Sequence, residues 1–295
     1  MNQHLEHFLN THKQQVEDAL RHYIEQVEAP AQLKEAMAYS LLAGGKRIRP
    51  LFLLATIDAL GGKVEQGLPA ACALEMIHTY SLIHDDLPAM DDDDYRRGKL
   101  TNHKVFGEAL AILAGDALLT HAFFVLADAA QSFKPEQQLM MIKELALRAG
   151  PAGMVGGQTA DVLGEGARLS FDQLAYIHAH KTGDLLVCAV RLGCYVAGAS
   201  EDQLVHLTRY AREVGLAFQI QDDILDEIGD EQKLGKQVGS DRGNQKSTYI
   251  SLLGLEGAKQ ALSEHVALAK QAVQAAGVKP DLLLALADFM VSREY

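Results

Sequence analysis

The chain is predicted to be all-α, a single large helical bundle, on three observations. Apolar residues recur at helical spacings over nearly the whole length. Strand signals are weak: few alternating β-branched runs, aromatics at 6%, and no Asn-Gly or Asp-Gly hairpin dipeptide. Short Gly- or Pro-containing connectors separate the periodic stretches, with no shift in composition that would mark a linker. We therefore expect one domain, residues 1–295, with about ten core helices.

Residues 1–29 read as an amphipathic helix with Leu5, Phe8, Leu9, Val16, Leu20, Tyr23, Ile24 and Val27 on one face, stopped by Pro30. A second helix, 31–43, ends at Gly44-Gly45, residues that readily adopt the left-handed conformation closing a helix. Pro50 opens a third, which Gly61-Gly62 ends. From Pro69 to Asp86 the pattern is nearly all apolar, so this helix should be buried on most sides and end before Pro88. Helices are further expected at 104–130, 135–150, 171–197, 201–228, 247–276 and 280–292. No solenoid-type repeat is present; the only internal echo is an Asp-rich end on two of these helices.

Hydrophobic content of 48% supports a large core rather than disorder. A net charge of −12 disfavours nucleic acid as a partner. The N-terminus has neither the basic nor the apolar segment of a signal peptide, and the most apolar run, Leu51–Leu60, is too short to span a bilayer. Cys72, Cys188 and Cys194 lie in apolar helical patterns without metal-type spacing, as core thiols of a cytoplasmic protein would.

Chemistry concentrates in two acidic clusters. Asp85, Asp86 and Asp91–Asp94 put six carboxylates within ten residues, followed by Arg96 and Arg97. Asp222, Asp223 and Asp226 form the second, with Asp222 and Asp226 on one helix face. Crowded carboxylates repel unless positive charge lies between them, and Mg²⁺ suits an all-oxygen site completed by substrate phosphates. A lone Asp run is more often a solvated loop; two clusters at helix ends favour the metal. In the first, Asp91 returns beside Asp85 only if the chain bulges at Pro88 and helix resumes.

A basic set accompanies them. Gly44-Gly45-Lys46-Arg47-Ile48-Arg49-Pro50 brings three cations to a flexible loop entering a helix, a form suited to a diphosphate, although a basic C-cap would look the same. Lys181 with Thr182, and Lys236, taken singly, read as surface residues. His78 lies in an apolar helix, where a histidine is usually a hydrogen-bonded core residue. Gly215, one turn before Gln219, permits close approach of backbone or ligand.

With the segments GGKRIRP (44–50), IHTYSLIHDDLPAMDDDDYRRG (77–98), FGEALAILAGDALLT (106–120), GGQTAD (156–161), HKTGDLL (180–186), GLAFQIQDDILD (215–226), LGK (234–236) and KSTY (246–249), the chain resembles the short-chain trans-isoprenyl diphosphate synthases over essentially its whole length. The resemblance implies the all-α isoprenoid synthase type I fold, a central cavity for two diphosphates, a homodimer and three Mg²⁺ ions. Asp85, Asp86 and Asp91 would hold metal in the first motif, and Asp222, with Asp223 and Asp226 near, in the second. Lys46, Arg49, His78 and Arg97 would bind isopentenyl diphosphate; Arg96, Lys181 and Lys236 would bind the allylic partner, dimethylallyl or geranyl diphosphate. Thr182 and Gln219 would lie beside the reacting carbons. Leu100, where the family often has proline, and Asn102, where a small residue is common, depart from the pattern without an expected role in chemistry. The tail lacks the basic end of eukaryotic relatives and receives no substrate contact.

The resemblance further implies farnesyl diphosphate as product, with Tyr80 as the aromatic stop for the growing chain. On an ideal helical wheel Ser81, not Tyr80, points closer to Asp85, so geometry alone would choose Ser81. A Tyr80 packed in the core with its hydroxyl hydrogen-bonded is the plain alternative. Rival readings are the same condensation with a geranyl or geranylgeranyl product, a terpene cyclase, which has no use for the second basic set, and a Ca²⁺ module, whose ligand loop is absent. Stable membrane insertion is not expected.

Overall fold

The computed structural model describes residues 3–129, 133–167, 169–228 and 248–292. Helices α1 (Gln3–Glu25), α2 (Ala31–Leu41), α3 (Ile48–Ala59) and α4 (Leu68–Asp85) open the fold, with a short 3₁₀ turn at Val64–Gly67. A two-residue hairpin, β1 (Tyr95–Arg96) and β2 (Lys99–Leu100), leads into α5 (Asn102–Phe106) and α6 (Glu108–Asp128). Then follow α7 (Pro135–Ala149), α8 (Met154–Gly164), α9 (Phe171–Ile177), a π-helical turn (His178–Gly183), α10 (Asp184–Ala197) and α11 (Glu201–Ile228). The described chain closes with α12 (Tyr249–Ala275) and α13 (Asp281–Val291).

Helices apolar on all sides go to the centre. In α3 all but three of twelve residues are buried, and α4 is buried along most of its length. Around this pair, α4 packs along α6, α10 packs against α3, α7 and α11, and α11 lies along α12. Gly193 permits the α3–α10 crossing, since a Cβ there would stand 2.6 Å from the Leu53 carbonyl oxygen. One continuous core links α1 to α13, and a smaller cluster of Leu174, Ile220, Ile224, Tyr249 and Ala258 ties α9 to α11 and α12. All three cysteines are buried free thiols.

The helical reading holds with local corrections. The expected 104–130 helix is broken at Gly107, which takes a left-handed φ of 83°. The expected 171–197 helix contains the π turn. Helix α8 was not anticipated, because its glycines dilute the apolar pattern. Nor is Leu51–Leu60 the most apolar long segment: α6 is long and apolar enough to cross a membrane, by length and composition only. After Pro88 helix does not resume. The chain turns and enters the hairpin.

Candidate active site

The first acidic cluster is shaped by the turn that ends α4. The Asp91 amide donates to the Asp85 carbonyl oxygen at 2.9 Å, and the Met90 and Asp92 amides both donate to the Leu87 carbonyl, at 2.8 and 3.1 Å. Asp92 sits at φ 51°, a left-handed value tolerated by Asp. This tight bulge, rather than resumed helix, returns Asp91 to Asp85. Burial pushes the Asp85 carboxyl up to about 6; Lys181 and Arg96 pull it down, while Asp91 and Asp86 push it further up. Asp86 is buried and faces the other way, accepting from Arg96 Nε at 2.6 Å. Arg96 also reaches Asp93 at 3.4 Å.

The hairpin that carries Arg96 and Arg97 is pinned from beneath. Tyr39 donates its hydroxyl to the Leu100 carbonyl at 2.8 Å. Asn102 donates to Ser40 Oγ and to the Ala36 carbonyl, both at 2.8 Å, so the two unusual positions of the sequence are anchors. Arg97 lies across the glycine loop, donating to the Gly44 carbonyl. A Cβ on Gly45 would meet that guanidinium at 2.6 Å, so only glycine admits it.

The loop 44–50 splits its cations. Arg47, at φ 51°, turns inward and is 2% exposed, ion-paired with Glu75 at 2.7 Å and donating to the Leu41 carbonyl at 2.7 Å. It holds the loop and is not available to a ligand. Lys46 stands on the exposed side. Arg49 Nη1 lies 3.2 Å from His78 Nε2. Burial, with the charges of Arg49, Arg97, Arg96 and Arg47, holds His78 well below its ordinary value, so the ring is neutral. Among the described residues no carboxylate pairs with Arg49 or Arg97, and the Arg49 Nε is buried without a partner. Two guanidiniums around a neutral histidine share only the field of Glu75, whose close ion pair is with Arg47, and so make a site for an anion.

Across from Asp85 lies the π turn. Lys181 donates to Asp161 of α8 at 2.6 Å. Burial opposes its charge, but Asp161, with Asp85 and Asp91, keeps its pKa raised. Two glycines bring the turn in. A Cβ on Gly157 would lie 2.1 Å from the Lys181 amide nitrogen, and one on Gly215 would lie 3.2 Å from Gly183 Cα. Gly215 thus serves backbone approach. Thr182 is part-exposed on the turn, and Gln219 is part-exposed on α11. Asp161 was missed in the sequence, because the helix that carries it was not anticipated; its place at the end of the segment GGQTAD was the only signal.

In the second cluster Asp222 is part-exposed and Asp226 is buried. Asp223 accepts from the Tyr249 amide at 2.7 Å, securing the start of α12, where Thr248 and Ser251 form a capping box. The Tyr249 ring stacks on His178 at 5.5 Å, so the π turn sits between the two acidic clusters. Lys236 lies outside the described residues.

No three acidic, imidazole or thiol groups among the described residues gather closely enough to hold an ion alone. The donors nonetheless fit Mg²⁺, which binds through one or two carboxylates and completes its shell with phosphate oxygens and water. Asp85 and Asp91 offer such a pair, and the upward shift of Asp85 is the strain a cation would relieve.

Beyond Asp85 runs an apolar cleft of about 510 Å³ between α4, α6 and α8, walled by Tyr80, Ser81, Ile112, Met154, Val155 and Val162 among others. Tyr80 and Ser81 both line it. The Tyr80 hydroxyl makes no hydrogen bond among the described residues, and its ring meets His84 edge-on at 5.7 Å. Two anion-seeking stations at the head of an apolar cleft are what diphosphate esters of hydrocarbons require.

The polyprenyl synthetase family model matches residues 30–281. The chain belongs to the polyprenyl synthetase family. It is 54% identical to a farnesyl diphosphate synthase of Geobacillus stearothermophilus, covering 99% of this chain and 98% of that one. Identity is 48% to the farnesyl diphosphate synthase of Bacillus subtilis, over the full length of both, and 47% to a geranylgeranyl diphosphate synthase of Cyanophora paradoxa, over 97% and 95%. Among solved structures, an FPP/GFPP synthase from Zymomonas mobilis superposes with a TM-score of 0.85 at 37% identity, covering 96% of this chain and 99% of that one. This chain has the fold of the prenyl synthases, all-α among the described residues but for the two-residue hairpin. The chain is a prenyltransferase by family.

Proposed function

We propose that this polyprenyl synthetase condenses isopentenyl diphosphate with dimethylallyl and then geranyl diphosphate, releasing diphosphate and giving farnesyl diphosphate. The observation that carries the reading is the pairing of two diphosphate stations with the Tyr80-walled cleft; the 54% identity to a farnesyl diphosphate synthase supports the product.

Lys46, Arg49, His78 and Arg97 hold the isopentenyl diphosphate, and Arg96 with Lys181 receives the allylic one. Arg96 serves the allylic diphosphate while steadying Asp86, and Lys181 does so while paired with Asp161. Asp85, Asp86 and Asp91, with Asp222, Asp223 and Asp226, would hold Mg²⁺, three ions in the family's pattern, and the metal would supply positive charge toward the departing diphosphate. The cationic groups stabilise the departing diphosphate, an electrostatic contribution. The apolar cleft keeps water from the allylic cation while the isopentenyl double bond adds. Thr182 and Gln219 face the reacting carbons, and the proton lost from C2 goes to the released diphosphate. A terpene cyclase would leave Arg49 and Arg97 without a task.

We further propose one domain over 1–295 that works in the cytoplasm as a homodimer without membrane insertion. The outer face of α6 supports the dimer: Leu113 and Phe124 are exposed on a helix whose inner face packs on α4 and α2. The test supplies isopentenyl diphosphate with each allylic starter and Mg²⁺, then chromatographs the dephosphorylated products. Farnesol as end product from both starters is expected. Geranylgeraniol would move the product to C20, and no condensation would remove the reading.

A further inference from the structure

The π turn has no local reason to persist. An extra residue in a helical turn weakens the hydrogen-bond ladder, and such bulges survive where the surroundings hold them. The residue that follows this one, Asp184, is only 4% exposed and carries a charge. Its Oδ2 accepts from Nδ1 of His180, inside the turn, at 2.6 Å. Its Oδ1 accepts from Arg148 Nη1 of α7, also at 2.6 Å. Arg148 in turn donates to Glu144 at 2.9 Å, and Arg191 Nε lies 2.8 Å from the same Glu144 oxygen as an ion pair without hydrogen-bond alignment. Arg191 then donates to the Tyr195 hydroxyl at 2.7 Å and to Thr208 of α11 at 2.9 Å. This network, built on buried Glu144, Asp184 and Thr208 with part-exposed Arg148, His180, Arg191 and Tyr195, joins α7, the turn, α10 and α11, yet none of its members belongs to either diphosphate station.

Apolar residues of like volume would stabilise such a junction as well or better, since buried ions lose their hydration. What a carboxylate shared between His180 and Arg148 adds is a fixed geometry. On the opposite side of the turn Lys181 is held by Asp161. We propose that Asp184 is a positioning residue: by bridging His180 and Arg148 it keeps the π turn in the shape that presents Lys181 to the allylic diphosphate. The inference rests on the two-diphosphate reading above.

The test uses the full-length enzyme with Asp184→Ala, Asp184→Asn, Lys181→Ala and the double variant Asp184→Ala/Lys181→Ala, each substrate varied in turn. Asp184→Ala should lower kcat/KM for the allylic diphosphate by roughly ten- to hundredfold. The KM for isopentenyl diphosphate should stay within about twofold. Asp184→Asn, which keeps an acceptor for Arg148, should fall between, and it carries the test if the alanine variant does not fold. Because Asp184 acts through Lys181, adding Asp184→Ala to Lys181→Ala should cost less than about a further twofold. Equal loss toward both substrates, or a fully multiplicative loss in the double variant, would reduce Asp184 to a stabilising residue and overturn the proposal alone. An unchanged allylic KM in Lys181→Ala would remove the allylic station itself, and this proposal with it.

Discussion

Arg49 and Arg97 flank a histidine that burial, reinforced by their charge, keeps neutral, and at this scale the proposed diphosphate stations can be told apart by substitution. Lys46→Ala and Arg49→Ala should each raise the KM for isopentenyl diphosphate by about tenfold or more while moving the allylic KM little; steady-state kinetics with each substrate varied checks this, and equal shifts would merge the stations. His178 offers a second measurement. Burial holds it down at about 4, against an ordinary 6.5, so the folded chain keeps the ring neutral where the unfolded chain takes a proton. Stability from this source is complete above pH 6.5 and is lost as pH falls toward 4, about 3 kcal/mol in all. His178→Phe should therefore flatten the denaturant-midpoint profile across that window, and an unaltered slope would contradict it. Residue types were largely legible: the acids, Lys46, Arg49 and His78 stood out by charge in apolar surroundings. Direction was not. Nothing in GGKRIRP says that Arg47 turns inward to Glu75 while Arg49 turns to His78, because that depends on a left-handed backbone at Arg47 and on a partner 28 residues away.

At the scale of elements, α4, α6 and α8 wall the apolar cleft, and Tyr80→Ala tests whether that cleft limits the hydrocarbon. Removing the ring should deepen the cleft and shift the product toward geranylgeranyl diphosphate or longer, read by chromatography of the alcohols. A folded variant still making farnesyl diphosphate alone would pass the role to Ser81. The α8–π-turn contact depends on Gly157. Gly157→Ala has no room for its methyl against the Lys181 backbone, and should cost about 1–3 kcal/mol in a melting experiment together with allylic affinity. Unchanged melting and kinetics would show the contact to be looser than drawn. The long periodic helices were readable, since a whole apolar face repeats. The π turn was not: the residues flanking it, Ile177 and Asp184, keep ordinary right-handed helical angles, and one inserted residue leaves propensity untouched. The hairpin escaped for a related reason, its strands being two residues long with turn chemistry in an Arg97-Gly98 pair at positive φ.

For the whole molecule the open question is what covers α6, which is 39% buried over its most apolar window. A second copy is our reading, and Phe124→Glu should move the sedimentation coefficient from dimer to monomer; an unchanged species would place the interface elsewhere. Sequence patterning could not reveal this face, because a helix apolar all round looks the same whether protein or partner covers it. The Arg49–Arg97 pair has a last consequence, in mass action. An anion that binds only the folded chain stabilises it by RT ln(1 + [L]/Kd), about 2.7 kcal/mol at a hundredfold excess over Kd. If the pair holds a diphosphate as proposed, inorganic diphosphate added to the folded chain should raise its melting temperature, and Arg49→Ala should shrink that rise; thermal resistance would then depend on what the preparation has been dialysed against.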